Sequence, residues 1–459
     1  MKKLIIITQL LLSAFTASTQ NAGIGTGTPA FKLDVVGSIN TDSVYRIGGT
    51  TVLSARDVSG FNYTFVGVGC GYSNTTGNFN TGMGYRALYL NTTGNRNTAN
   101  GSLALSSNTS GDDNTAIGSN SLLTNSTGYG NTANGANALR FNSTGYYNTA
   151  SGSNALYNNV NGFDNTAMGA NALYSNTYGW SNTGIGQQTL YANTAGVSNT
   201  AIGNQALRSN TMGHYNTSVG EAAHYANTTG NRNTAIGYEA LNLTTASSYN
   251  TAIGYRAGHN YNLGWNNTLI GAEANVSFSG QYNSIAIGNV SSCPDNSTVR
   301  IGNSANWSYG GYANWTNISD GRYKKNIREN VAGLDFILKL RPVTYQLDVT
   351  ALSKALNEFK EREPDENMKK AIAEKEQMVW TGFIAQEVEE AARQVGFEFS
   401  GVDKPRNKHG VYGLRYAEFV VPLVKAVQEQ QQQITDMQNK IKLLDEQNKV
   451  LLQMLKDKN

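Results

Sequence analysis

The chain has 459 residues, only 15% of them charged, with 49 glycines and 6 prolines. Polarity without charge excludes a self-repelling disordered chain and is unlike an ordinary globular enzyme. A net charge of +3 supplies no basic field for nucleic acid.

The first 20 residues read as a secretory signal peptide. Lys2 and Lys3 form the basic start, residues 4–15 are largely apolar, and Ala17 and Ser18 are small. The run is too short to remain as a membrane span, and no later run is long enough for one. The mature protein is therefore expected outside the cell, secreted or held at the cell surface. Cys70 and Cys293 are far apart, and His214, His224, His259 and His409 are scattered. Neither set has the close spacing of metal ligands. No cofactor is expected.

Residues 21–62 hold short β-prone runs punctuated by Gly and Pro, and predict a strand-rich neck. From residue 63 to 304 the chain repeats. Asn-Thr pairs begin at Asn80, Asn97, Asn114 and so on to Asn267, each step being 17 residues. A glycine four residues after each Asn keeps the phase, from Gly84 to Gly288. A short fixed period predicts a β-solenoid or β-roll in which units must stack to bury anything. Stacking aligns the asparagines in a ladder of side-chain amides. The apolar residues before the phased glycines, such as Ile202, Ile236 and Ile253, are expected in the core beside the Ala-Leu pairs. So thin a core favours three chains side by side.

Aromatic residues vary just ahead of the Asn-Thr pairs: Tyr129, Tyr146, Phe163, Trp180, Tyr215 and Trp265. They form a candidate surface for glycans, or simply cover turns. Residues 63–290 resemble the heads of trimeric surface adhesins, which usually have a shorter period.

Composition shifts near residues 305–320: no lysine lies between Lys32 and Lys324, and lysine and glutamate are frequent afterwards. Residues 351–375 are helix-prone around a break at Pro364 and read as an insertion. From Val420, apolar residues recur in one heptad frame (Leu423, Val427, Ile434, Met437, Ile441, Leu444, Leu451, Leu455), with Gln430 and Asn448 as polar exceptions. That frame predicts a coiled coil over 431–459 or, failing that, a lone amphipathic helix.

The segment 317–327 reads NISDGRYKKNI. Taken alone, Ser319-Asp320-Gly321 is a turn signal. In a straight strand Ser319 and Lys324 would face opposite sides, and a bend at Asp320-Gly321 would bring them together. A serine hydroxyl becomes a useful nucleophile when a base removes its proton. A lysine can be that base only when neutral, which about one in 2,500 is at pH 7 for a pKa of ~10.4. Burial beside Arg322 and Lys325 would raise that fraction.

Ser319, Asp320, Arg322, Lys324, Asn326 and Ile327, with LKLRPVTYQL (339–348), TGFIAQEVEE (381–390) and YGLRYAEFVVPLVKAVQEQ (412–430), resemble the intramolecular chaperone auto-processing domain that ends endosialidase-type phage tail spikes. The resemblance covers 318–440. It implies an α+β chaperone domain at 305–430 that trimerises. It also implies a self-cleaving serine endopeptidase with Ser319 as nucleophile and Lys324 as base, cutting next to Ser319 at the Ser319-Asp320 end of the domain. Which side of Ser319 is cut stays open. Two alternatives accompany this expectation: a structural surface adhesin that does not cut itself, and a tail-fibre-like protein of prophage origin.

Overall fold

The computed structural model describes residues 22–24, 33–35, 44–47, 49–58, 61–312, 315–360, 363–407 and 410–457. The expected signal peptide and His409 lie outside the described residues. The chain divides into two compact units, residues 1–144 and 145–459.

In the first unit, Val44–Ile47 and Thr50–Val58 form an antiparallel hairpin that continues antiparallel into Phe61–Val66. Parallel pairing begins there. Phe61–Val66 pairs with Asn80–Met83, and Thr98–Asn100, Thr115–Ile117 and Thr132–Asn134 follow with threonine beside threonine. The second unit opens the same way. Thr149–Ser151 begins a parallel ladder that advances 17 residues per strand to Ile285–Ile287. The last step, to Val299–Ile301, is shorter, Ile285 lying beside Val299. Both units therefore hold β-solenoid coils of the expected period.

The interior differs from the expectation in one respect. In each short Thr-Ala-Ile strand it is the central alanine that is fully buried: Ala201, Ala235 and Ala252 have no exposed surface. Ile202, Ile236 and Ile253 are 37–38% exposed. The cause is strand alternation: a three-residue strand can send only its middle side chain inward, and the narrow interior accepts a methyl group there. The core is completed by the Ala-Leu pairs, such as Ala206-Leu207 and Ala240-Leu241, also without exposed surface. A buried leucine contributes about 2 kcal/mol.

Two asparagine ladders run along the coils. In the first, the Asn199 amide donates to Asn182 Oδ1 at 3.1 Å and to the Gly213 carbonyl at 2.8 Å, and the Asn182 oxygen also accepts the Asn199 backbone N–H. In the second, Asn193 donates to Asn176 Oδ1 at 2.8 Å and to Gly196. Along both ladders these amides are buried and hydrogen-bonded to the neighbouring coils, which offsets much of the cost of burying them. The phased glycines are obligatory. Gly220 has φ +131°, and a Cβ there would lie 2.5 Å from the Gly237 carbonyl oxygen of the next coil.

The C-terminal part of the second unit is α+β. Helix α1 (Leu334–Ile337) precedes strand Val343–Tyr345, which pairs antiparallel with Trp380–Gly382. Between those strands lie α2 (Val349–Ala355) and α3 (Glu366–Glu376), capped by Asp348 and Asp365 and separated at Pro364 as the sequence predicts. Helix α4 (Ala385–Gln394) follows, then α5 (Val420–Lys456), a single helix of 37 residues. Phe336, Val388, Ala391 and Phe419 form the core, with Phe383, Phe397 and Phe399 packed against it. Glu429 of α5 caps α1 through the Leu334 N–H at 2.7 Å. Pro422 and Ala426 of α5 are also buried, whereas its heptad frame is exposed, including Leu423, Val427, Ile434 and Ile441.

Candidate functional site

The expected bend is a single 3-10 turn, Gly321–Tyr323, capped by Asp320. Asp320 Oδ1 accepts the Arg322 N–H at 2.9 Å, and the guanidinium closes on the same carboxylate. The Tyr323 N–H reaches the Asp320 carbonyl and the Lys324 N–H reaches Gly321. This reverses the chain within four residues. Lys324 Nζ then donates to Ser319 Oγ at 2.7 Å. The two side chains that the family resemblance singles out are in direct contact.

The electrostatics are less helpful than the sequence implies. Arg322 is paired with Asp320, holding that carboxyl below the usual range and the guanidinium above its own. Its charge is thus largely neutralised before it can act on Lys324. Ser319 and residues 321–330 are exposed. In the observed bond the lysine donates. Catalysis needs the reverse, with the hydroxyl donating to a neutral amine.

The flanks of this turn are apolar and uncovered. Tyr312, Trp315, Ile318, Tyr323 and Ile327 are between 76 and 113% exposed. Sequence reasoning missed them, although large rings in a Gly- and Asn-rich stretch were a visible signal.

The match to known families starts at the serine. Residues 319–397 match the family described as the chaperone of endosialidase. No curated protein matches the chain. The match to the chaperone of endosialidase supports an intramolecular chaperone domain in the C-terminal part and runs through α1 to α4. The family is one of self-cleaving chaperone domains, and together with the β-solenoid coils it fits a tail-spike-like fibre.

Within the second unit the aromatic candidates fall in two neighbouring registers. Tyr129 is 40% exposed in the first unit. In the second unit Tyr146, Phe163 and Trp180 stack in one column, with centroids 4.9 and 5.6 Å apart. Tyr215 belongs to a neighbouring column, where Arg232 lies between it and Tyr249. Trp265 is exposed. Stacked rings spend their faces on each other, which leaves edges rather than faces for a sugar.

Cys70 and Cys293 are free thiols, both pushed up chiefly by burial, Cys70 to about 12. Among the described residues no cluster of His, Cys, Asp and Glu could hold a metal, and no helix is long and apolar enough to cross a membrane.

Proposed function

We propose that the protein is an exported trimeric fibre whose C-terminal domain chaperones assembly and then severs itself from the shaft beside Ser319. On this reading residues 1–20 direct export, 21–62 form the neck and 63–304 the shaft. Residues 305–430 form the chaperone domain and 431–459 a coiled coil. The 2.7 Å contact between Lys324 and Ser319, at the first residue of the family match, carries the reading.

In the single chain the site is open to water. Three sets of uncovered apolar side chains support closure by partner copies: the α5 frame, the rings beside the turn, and the isoleucine ridge of the coils. Covering the turn would desolvate Lys324 and free its amine to accept a proton. The serine oxygen then adds to an adjacent peptide carbonyl. The amine takes the hydroxyl proton and passes it to the departing nitrogen, and water hydrolyses the resulting ester. Because nucleophile and substrate share a chain, proximity replaces substrate binding. Such timing makes cleavage a report of correct assembly and leaves the fibre kinetically trapped. The shaft would meet cell-surface glycans through ring edges.

The second reading, an adhesin that keeps its C-terminal domain, is favoured by the exposure of the dyad and by the pairing of Arg322 with Asp320. Intact mass of the wild type and of Ser319→Ala separates the two. Cleavage predicts two fragments from the first and one from the second; one unbroken chain from both favours the adhesin.

A further inference from the structure

Breaking the backbone beside Ser319 frees the C-terminal domain only if nothing else holds it. Several contacts link the residues on either side of that point. Upstream, the solenoid ends at Val299–Ile301 and continues into residues 302–306. Downstream, α2 and α3 fold against that end. The Ser304 N–H donates to both carboxylate oxygens of Glu358 at 3.0 Å, and both residues are buried. Lys375 of α3 donates Nζ to the Ser304 carbonyl at 2.7 Å and also to the Asn306 carbonyl. Ala305 is buried with Val349 and Ile372, and Phe359 and Met368 pack against them. Farther out, Lys360 Nζ lies 4.6 Å from the Tyr261 ring centroid, and Asn407 donates to the Pro294 carbonyl at 3.0 Å.

The stretch between is of another kind. Residues 306–312 and 315–319 are exposed. The site of the proposed scission is thus on an outer loop, while Ser304, Ala305 and Glu358 of the fastening are buried and Lys375 is half-buried. The chemistry of the fastening is also directional. The last coil of a solenoid has no further coil to satisfy its backbone, and exposed N–H and C=O groups there invite pairing with other chains. Glu358 takes the Ser304 N–H and Lys375 takes the Ser304 C=O. Arg300 of the final strand and Lys375 both lie where their charge favours the ionised Glu358, against the burial that opposes it. Removing either Glu358 or Lys375 would leave a backbone group of the last coil unmet and a charge uncompensated.

We propose that Glu358 and Lys375, carried by the α2–α3 region, are a latch that seats the cut domain on the end of this chain's own solenoid, so that scission and release are separate steps. The partner is the backbone at the end of the last coil, from Ser304 to Asn306. The proposal rests on the cleavage reading for its biological setting, and the test keeps the two apart.

Full-length wild type is analysed on a denaturing gel and, in parallel, by native size exclusion. Two fragments on the gel and one species on the column are expected. In the double variant Glu358→Gln, Lys375→Met the same fragments should separate on the column, with dissociation at least tenfold faster. A parallel arm uses Ser319→Ala carrying a specific protease site in place of residues 308–312, cut by added protease. Fragments that stay together in this arm, from a wild type that never cuts itself, would remove the cleavage reading and keep the latch. Fragments that part as fast with Glu358 and Lys375 intact as without them would overturn the latch, whatever happens at Ser319. If the double variant fails to fold, Lys375→Met alone is used; it keeps the Ser304 N–H contact and should still speed separation.

Discussion

The solenoid coils and the C-terminal region solve the same problem in opposite ways. Within the coils nearly every demand is met by the next coil 17 residues on: amide by amide, glycine against glycine carbonyl, ring on ring. The C-terminal region leaves its demands open. Its longest helix shows an entire apolar frame to water, and exposed aromatic and aliphatic side chains stand on either side of the Ser319 turn in sequence. A part that is complete in itself suits a finished fibre, whereas a part that is complete only with its copies suits an assembler.

That contrast can be broken in several places. The largest effect should come from α5. Ile434→Asp combined with Ile441→Asp would place charges in the exposed frame, and light scattering should then report monomers where the proposed fibre requires a trimer of the wild type. A wild type that is itself monomeric would refute the contrast at once.

Glycine substitutions sharpen it next. Gly220→Ala forces a Cβ into the next coil at φ +131°, and should cost about 3 kcal/mol or more. Gly321→Ala meets no atom within 4 Å, and should stay within about 0.5 kcal/mol. Denaturant melts of the two variants give the comparison.

A third test concerns a coil that departs from its neighbours. His224 sits where other coils bury leucine, as at Leu207 and Leu241, and both its ring nitrogens are buried without a partner. Burial lowers its pKa from 6.5 to about 3. Below about pH 6.5 the unfolded chain takes up a proton that the folded coil refuses. Stability therefore falls by about 1.4 kcal/mol per pH unit from there down to the folded value. His224→Leu should raise stability by about 2 kcal/mol at neutral pH and remove this slope, as melts between pH 7 and 4.5 would show.

A smaller effect than that of His224 belongs to the ring columns. Phe163→Ala interrupts the stack between Tyr146 and Trp180, and should cost about 1 kcal/mol. A larger loss in binding to cell-surface polymer than in stability would point to a ligand role instead.

Much of this was legible in the sequence because the physics was local or periodic. The 17-residue step predicted the coils, and the Asn-Thr phase predicted an amide ladder. Pro364 marked the break between α2 and α3, and Asp320-Gly321 marked the turn that joins Ser319 to Lys324. What escaped depended on facing. Isoleucine was expected inside, yet a three-residue strand has one inward position and alanine holds it. The αL leucines, such as Leu207 at φ +51°, are set by the corner of the coil and have no local signature. Glu358 reads as one more helix-forming glutamate. Only contact with Ser304, 54 residues away, distinguishes it.

The most direct test of the central claim is the intact mass of assembled wild-type protein beside Ser319→Ala and Lys324→Met. Two fragments from the wild type, whose masses place the break at a peptide bond of Ser319, and one unbroken chain from each variant are the expected result. A full-length wild-type chain recovered from a correctly assembled trimer would contradict it.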